Sequence, residues 1–190
     1  MARPPSSASR DEVLLAALTL LRDEGPNGLT VRAVAAAAGC STMAVYTHFD
    51  GKAGLVDAIL ADGHASLTSS LAEGAATNAY GDVLVSVAMA YRAWALSNPT
   101  QYQAMYSELV PGFAPSPGTV EVAQAGNRAH VERVAQELRV DLERAERIAR
   151  HLWWSVHGHV LFELYGLAYG GDGDAEFLEA ARWLRHGVEL

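Results

Sequence analysis

The first hydrophobic stripe of the chain has helical spacing and is bounded by residues that begin and end helices. Ser9 and Glu12 form a capping-box pair, a hydroxyl residue followed three positions later by a glutamate. Apolar residues then recur on one helical face, at Val13, Ala17, Leu20 and Leu21. The sequence Gly-Pro-Asn-Gly at 25–28 ends this pattern. The segment therefore predicts an amphipathic helix.

Two shorter helices follow in the sequence. Thr30 is a hydroxyl N-cap, and Gly39 stands where helices commonly end. Ser41 caps the next helix, which runs to about His48 before Phe-Asp-Gly at 49–51 breaks the chain. Three short, capped helices in succession predict a compact N-terminal unit.

Longer helical segments occupy the rest of the chain. We predict them at residues 51–73, 80–97, 101–109, 120–140, 142–169 and 174–188. Proline and glycine concentrate at 110–118 and 170–173, which predicts loops there. No segment shows the alternation of a strand. We therefore predict an all-α fold of about nine helices, divided into a flexible arm (1–8), a three-helix unit (9–50) and a larger helical bundle (51–190).

Composition indicates a globular protein but at first argues against a nucleic-acid binder. Half of the residues are hydrophobic and 19% are charged, which excludes a disordered chain. The formal net charge is −8, whereas nucleic-acid-binding proteins usually carry a basic surplus. The single cysteine, Cys40, excludes an intrachain disulfide and is either a buried structural thiol or a redox-sensitive one. No apolar stretch is long enough to span a bilayer, so we expect a soluble, cytoplasmic protein without a membrane partner.

The segment from residue 29 to residue 49 carries the most specific pattern. Two short helices joined by a glycine-containing turn are typical of the helix-turn-helix, whose second helix enters the major groove of DNA. This segment and the residues after it resemble the TetR family of transcriptional regulators. The resemblance rests on Leu-Thr-Val-Arg at 29–32, Ala-Ala-Ala-Ala-Gly at 35–39, Tyr-Thr-His-Phe at 46–49 and Gly-Lys-Ala-Gly-Leu at 51–55. It implies a three-helix DNA-binding domain, with a fourth helix that links it to a helical body.

The resemblance assigns the binding of double-stranded operator DNA to residues of the helix-turn-helix. The family reads bases from the start of the recognition helix, here at Thr42, Met43 and Ala44. Polar residues around that helix, several of them placed for the phosphate backbone, complete the set, and these are Thr30, Arg32, Ser41, Tyr46, Thr47, His48 and Lys52.

Some of these residues also have a simpler interpretation. Tyr46 and Phe49 are alternatively plain core aromatics, an interpretation that we favour for Phe49 and not for Tyr46. His48 is alternatively an ordinary surface histidine. Whether Arg3 and Arg10 of the arm contact DNA stays open.

Two passages of the body also resemble the family. The segment 98–106 looks like the junction between its fifth and sixth helices, and Trp-Ser-Val-His-Gly at 154–158 resembles the signature of a WHG-type C-terminal domain, which binds a ligand and dimerises. The helix around this signature is apolar nearly all round and must be buried. We predict a two-fold homodimer in which it packs with the last helix against a second copy, through Trp154, Leu161, Phe162, Tyr165, Phe177, Leu178, Ala181 and Leu184.

The resemblance further implies a cavity for a small-molecule effector between the long helices. A lining of aromatic and methionine side chains with a few polar tips suits a largely apolar ligand. The candidates are Met89, Tyr91, Trp94, Tyr102, Met105, Tyr106, Phe113, Trp153 and His157. A plain core position is the alternative for each of them.

Motifs of common enzymes and metal sites do not occur in the sequence. It contains no Glu-x-x-His, His-Glu-x-x-His, Gly-x-x-x-x-Gly-Lys or Gly-x-Ser-x-Gly. Asp-Gly-Asp at 172–174 fits a turn and a helix cap at Asp174 better than a calcium loop. We therefore predict no metal, no cofactor and no catalytic residues. The favoured function is a ligand-responsive regulator, of a kind that is usually a repressor, and the alternative is a helical-bundle enzyme or ligand carrier with the N-terminal unit as scaffold.

The distribution of charge weakens the objection to DNA binding. Residues 1–55 are neutral overall, with five basic side chains and five acidic ones. The remaining residues hold nine basic and 17 acidic side chains, so the whole negative charge lies on the body. We expect a selective binder with weak non-specific affinity for DNA and a modest dependence on salt.

Overall fold

The computed structural model describes residues 8–107, 112–167 and 171–188. Within them the chain forms nine α-helices and no β-strand, which confirms the predicted all-α fold. The helices are α1 (Arg10–Gly28), α2 (Val31–Ala37), α3 (Thr42–Phe49), α4 (Lys52–Thr77), α5 (Val83–Ser97), α6 (Pro99–Met105), α7 (Pro117–Leu138), α8 (Leu142–Leu164) and α9 (Gly173–Gly187).

The first three helices begin where their capping residues predict. Ser9 Oγ accepts a hydrogen bond from the Glu12 N–H (3.2 Å), and Glu12 Oε2 accepts one from the Ser9 N–H (2.7 Å). Thr30 and Ser41 cap α2 and α3 in the same way, by accepting from backbone N–H groups three residues later. Local hydrogen bonding thus fixes where each helix of the N-terminal unit begins.

Several other helix ends differ from the predictions. α1 continues past the predicted stop through a kink at Gly25, whose φ of 70° is a left-handed value that glycine adopts without strain. The N-cap of α9 is Asp172 and not Asp174, because Asp172 Oδ1 accepts from the N–H groups at positions 174 and 175. α6 ends at Met105 and α8 at Leu164, so the ends predicted at Leu109 and Tyr169 are too late in the chain.

The chain divides into two compact units that do not follow the predicted boundary between residues 50 and 51. The first unit reaches from the N-terminus to His64 and takes in Thr100–Val122, and the second consists of Ala65–Pro99 and the chain from Ala123 onwards. The division falls inside α4 because α6 and the first turn of α7 are bound to the first half of that helix.

The core of the first unit joins α1, α2, α3 and the start of α4. Its fully enclosed side chains are Leu29, Val34, Val45, Leu55 and Ile59, and each such burial contributes about 1.5–3 kcal/mol. Ala8 belongs to the same core. The predicted flexible arm therefore does not include Ala8, and its other residues, 1–7, lie outside the described chain.

Buried hydrogen bonds tie α6 and α7 to α4 within this unit. Gln101 Nε2 donates to the Ile59 carbonyl (3.2 Å) and to Asp62 Oδ2 (2.9 Å). The Asp57 carboxylate accepts from the backbone N–H (2.7 Å) and the hydroxyl (2.8 Å) of Ser116, the residue before α7. Burial by itself raises the pKa of Asp57, but these hydrogen bonds and one from Thr119 hold it below its ordinary value. The carboxylate is therefore ionised at neutral pH and holds the start of α7.

In the second unit α5 packs against both α8 and α9. Arg92 of α5 is buried, and its Nε lies 2.8 and 2.9 Å from the carboxylate oxygens of Glu163 on α8. Its Nη1 donates to Asp174 at the start of α9 (2.6 Å), and Arg185 near the end of α9 donates to Asp82 (2.8 Å), the N-cap of α5. Both ends of α9 are thus fixed to α5.

Candidate functional site

The turn between α2 and α3 presents the second helix of the pair to solvent. Gly39 has a φ of 64°, which glycine adopts without strain, and the following N–H, of Cys40, donates to the Ala35 carbonyl (2.9 Å). Val45 and Phe49 of α3 are buried in the core of the first unit. The opposite face of α3 is exposed, so the helix is held by one side and open on the other.

Two large side chains stand on the open face of α3. Met43 is 70% exposed and Tyr46 is 53% exposed. The Tyr46 ring lies beside Gly51, where a Cβ would come within 3.1 Å of Tyr46 Cε1. Tyr46 is therefore not a core aromatic, whereas Phe49 is one. Thr42 is exposed and Ala44 is partly buried at the base of this face.

The hydroxyl groups around α3 differ in what they can offer a phosphate. Thr30 Oγ1 and Ser41 Oγ each accept from a backbone N–H (3.1 and 3.2 Å), so each hydroxyl hydrogen remains available for donation. Thr47 Oγ1 instead donates to the Met43 carbonyl (2.9 Å). In this rotamer Thr47 cannot also donate to a phosphate, while Thr30 and Ser41 can.

The structure gives His48 a partner other than DNA. Its Nε2 lies 3.1 Å from the Ala8 carbonyl, and because a carbonyl only accepts, Nε2 carries the hydrogen. Nε2 is therefore already bound within the protein and connects the end of α3 to the residue before the α1 cap. The contact of His48 with a phosphate stays a prediction.

Few cations accompany the open face of α3. Lys52 Nζ donates to the Pro26 carbonyl (3.3 Å) and keeps two more hydrogens for other acceptors. Arg32 is exposed on α2. The Arg10 guanidinium lies 5.0 Å above the Phe49 ring, a cation–π contact that fixes α1 against α3. Arg32 and Lys52 are therefore the two cations that we assign to phosphate contacts in each protomer.

We predict that the affinity for DNA falls only moderately as the salt concentration rises, and that Lys52 accounts for part of this dependence. For the predicted homodimer, two such cations in each copy give a slope of log K against log[salt] of about −4. Lys52→Gln is expected to reduce the magnitude of this slope by about 2. Arg22→Gln is the matched control, since Arg22 is paired with Asp23 (2.8 Å) on the surface of α1. Fluorescence anisotropy between 50 and 200 mM salt measures the slopes, and an unchanged slope for Lys52→Gln contradicts the assignment.

The predicted effector residues are distributed over both units. Tyr102, Met105, Tyr106 and Phe113 belong to the first unit, and the other five belong to the second, namely Met89, Tyr91, Trp94, Trp153 and His157. In the first unit Met105 and Phe113 pack against its hydrophobic core, and the rings of Tyr102 and Tyr106 meet edge to face at 5.0 Å. These four positions accordingly serve the packing of the first unit.

The second unit joins aromatic and polar groups of the predicted set. The Tyr91 hydroxyl lies 3.2 Å from His157 Nδ1, and the Trp153 ring stacks on the His157 ring at 5.1 Å. Burial lowers the pKa of His157, so its ring is neutral at pH 7. Trp94 Nε1 donates to Ser66 Oγ (3.0 Å). Met89 is buried on α5.

The predicted dimer residues separate into inner and outer positions. Phe177 and Ala181 are buried within the protomer, with the Phe177 ring between Arg92 and His159, so the prediction is wrong for these two. Three others are partly buried, namely Leu161, Leu178 and Leu184. Three aromatic residues are exposed, namely Trp154 and Phe162 on α8 and Tyr165 directly after it.

Trp183 is a functional candidate that the sequence pattern did not indicate. It is 68% exposed on α9. The most apolar face of α9, with Phe177 and Ala181, is already used against the protomer's own helices, so a contact with another molecule must use the other face. The available signal was a tryptophan two positions after Ala181, which puts it on the opposite side of the helix from that buried residue.

Neither a cluster of metal ligands nor a membrane-spanning helix occurs in the described part of the chain. It contains no group of three or more His, Cys, Asp or Glu side chains that could hold a metal ion. None of the helices there is long and apolar enough to cross a membrane.

Comparisons with known proteins agree with the geometry of this helix-turn-helix. A family model described as "Bacterial regulatory proteins, tetR family" matches residues 13–59, and one described as "Tetracyclin repressor-like, C-terminal domain" matches residues 84–184. The chain is 30% identical over 185 residues to the "Uncharacterized HTH-type transcriptional regulator Rv0681" of Mycobacterium tuberculosis. This similarity covers 97% of the chain and 84% of that relative.

Solved structures share the whole fold. A protein of unknown function from Rhodococcus sp. RHA1 is 25% identical, with a TM-score of 0.80 and 95% of each chain covered. The TetR family transcriptional regulator PfmR from Thermus thermophilus superposes with a TM-score of 0.68 over 94% of this chain and 99% of that one. At 17% identity the second likeness shows the fold alone.

The chain has a helix-turn-helix with an exposed second helix, and it is similar in sequence to regulators that carry this motif. It is therefore a DNA-binding transcriptional regulator and not an enzyme. The chain belongs to the TetR family. The finer prediction of a WHG-type C-terminal domain, drawn from residues 154–158, stays a prediction.

Proposed function

We propose that this regulator binds a near-palindromic operator as a homodimer, acts as a repressor in the cytoplasm, and is released by a small, largely apolar effector. The observation that carries the proposal is the open face of α3, where Met43 and Tyr46 stand exposed while the opposite face is locked into the core. A recognition helix needs one exposed face, because its side chains must reach the base edges in the major groove.

The residues that contact bases lie in the first turn of α3. Thr42 is exposed and can hydrogen-bond to a base edge, while Met43 suits the methyl group of thymine. Tyr46 lies one turn after Thr42, and its exposed ring can present the hydroxyl to a phosphate. The hydroxyl of Ser41 and the ammonium of Lys52 can also donate to a phosphate. This arrangement supports recognition of the operator through few direct contacts with bases. Uncharged donors to the DNA phosphate backbone then position the protein on the site.

Dimerisation accounts for the exposed aromatic residues of the second unit. Trp154 and Phe162 on α8, Tyr165 directly after α8, and Trp183 on α9 are all more than half exposed in the protomer. Large exposed apolar side chains in such number mark an interaction surface. A two-fold interface through α8 and α9 buries them and places two recognition helices about one turn of DNA apart.

The effector acts by preferring one dimer geometry. Aromatic groups and neutral hydrogen-bonding groups meet on α5 and α8, at Tyr91, Trp153 and His157. A ligand bound among them lowers operator affinity only if it binds more tightly to the arrangement in which the two recognition helices do not fit the DNA.

The proposal is tested by selecting duplexes from a random pool with the full chain, then measuring mobility shifts on the selected duplex and on the gene's own upstream region. Tyr46→Ala is expected to weaken binding about 100-fold or more, because each half-site loses a hydrogen bond to a charged phosphate, which typically contributes about 1.5–3 kcal/mol. Tyr80→Ala is the control, an exposed tyrosine outside the helix-turn-helix. Failure to select any sequence contradicts the proposed function.

A further inference from the structure

His130 lies on the inward side of α7 in the second unit. Gly126, His130 and Val134 follow one another at intervals of four and share one face of that helix. Val134 is fully buried in a cluster with Leu84 of α5 and Ala149 of α8. A Cβ added at Gly126 would overlap the Thr68 hydroxyl of α4. His130, between these two positions, therefore faces α4, α5 and α8.

Contacts between α7 and its neighbouring helices indicate which residues of those helices lie at the same height as His130. On α5, Leu84 is level with Val134. Trp94 is level with Gly126, because its Nε1 bonds Ser66, which lies two residues from Thr68 on α4. Tyr91 lies between these two positions of α5. On α8, the stretch from Ala149 to His157 likewise contains Trp153. The register places His130 at the level of the cluster of Tyr91, Trp153 and His157.

One ring nitrogen of His130 lacks a hydrogen-bond partner. The residue keeps some exposure, but Nδ1 is enclosed and is the one buried side-chain nitrogen or oxygen without a partner in the described residues. Burial, and then the nearby positive charge of Arg133, lower the pKa of His130 to about 4. The ring is therefore neutral at pH 7. An enclosed nitrogen without a partner is costly, and such groups in a native structure commonly serve a ligand or an ordered water.

We propose that His130 Nδ1 is the hydrogen-bonding anchor of the effector, and that the effector is an uncharged aromatic molecule with one hydroxyl or amide group. The inference rests on the proposed function and specifies its ligand. The hydroxyl or amide bonds His130, and the ring system lies against Trp153.

Electrostatics restrict the effector to an uncharged class. The His130 and His157 rings are both neutral at pH 7 and cannot balance an anion. The buried cation of this unit, Arg92, is already bound by the carboxylates of Glu163 and Asp174. Arg133, whose positive charge acts on His130, is itself partly exposed and screened by water, so an ionised ligand would lose more hydration in this buried region than it regains.

The test compares full-length wild type, His130→Leu and the control His186→Leu, which changes an exposed histidine at the end of α9. The probes share one ring system, namely 2-naphthol, 2-naphthamide, naphthalene, 2-naphthoate and 2-naphthylmethylamine. Isothermal titration without DNA is expected to show the phenol or the amide binding wild type about tenfold more tightly than naphthalene, with no binding of the two ions. His130→Leu is expected to lose that tenfold preference while still binding naphthalene.

Two further measurements separate this role from a structural one. The melting temperature of ligand-free His130→Leu is expected to equal or exceed that of wild type, because the substitution removes an unpartnered polar group. The ¹⁵N shift of His130 Nδ1 is expected to move when the phenol or the amide binds and to stay constant with naphthalene. An unchanged preference in His130→Leu overturns the proposal, as does failure of both neutral polar probes to bind, and an ordered water is then the partner of Nδ1. Operator binding without ligand should be equal in all three proteins, so its loss would implicate the proposed function instead.

Discussion

Gly54→Ala is expected to lower the melting temperature of the protein by about 10 °C and to abolish operator binding at concentrations where the wild type is saturated. A Cβ at Gly54 would overlap the backbone carbonyl oxygen of Phe49. That carbonyl belongs to the corner between α3 and α4, where Asp50 (φ 54°) and Gly51 (φ 94°) reverse the chain. Overpacking against backbone costs up to about 3 kcal/mol, which corresponds to roughly 10 °C for a chain of this size. Differential scanning calorimetry measures the change.

Gly118→Ala is the matched control for this substitution. Gly118 also lies in the first turn of a long helix of the first unit, but a Cβ there would meet only Ser116 Oγ at 3.7 Å, an ordinary contact. Its melting temperature should stay within about 2 °C of wild type, because alanine has the higher helix propensity. A Gly54→Ala protein as stable as this control would show that the α3–α4 corner does not need the close approach.

Trp183→Glu is expected to raise the dimer dissociation constant by about 1,000-fold while leaving the protomer folded. Trp183 is exposed on the face of α9 opposite the buried Ala181, so the substitution leaves the core of the protomer intact. A tryptophan at the centre of an interface typically contributes about 2 kcal/mol or more, and a two-fold dimer contains two copies. Sedimentation velocity over a concentration series gives the dissociation constant, and circular dichroism checks the helix content.

Leu142→Glu controls for the introduction of a charge at an exposed apolar position. Leu142 is 62% exposed and begins α8, whereas Trp154 and Phe162 lie in the second half of that helix. An acidic residue there also suits the positive end of a helix. Its dissociation constant should equal that of wild type, and a Trp183→Glu protein that remains dimeric at the same concentrations would remove α9 from the interface.

Local hydrogen-bonding patterns are the part of this fold that the sequence predicts best. Ser9, Thr30 and Ser41 each satisfy backbone donors within three residues of themselves, so their role follows from spacing alone. The open face of α3 follows in the same way, because Val45 and Phe49 lie four residues apart and must be buried together.

Long-range contacts are what the pattern could not supply. The sequence indicated that α9 has one strongly apolar face but not that α5 occupies it, so Phe177 was assigned to the dimer and Trp183 was missed. His48 was assigned to DNA, and its partner within the chain is a carbonyl forty residues away. Ser116 and Asp57 are nearly sixty residues apart, and their hydrogen bonds place the start of α7 in the first unit. Each of these depends on where other helices lie.

The central claim is that two copies of α3 read two half-sites together. The direct measurement is the affinity of the full chain for the selected duplex, beside a duplex with one half-site scrambled and one with the half-sites moved apart by five base pairs. Both altered duplexes are expected to bind at least about 100-fold more weakly, because the second recognition helix then finds no matching groove. Equal affinity for all three duplexes would contradict it.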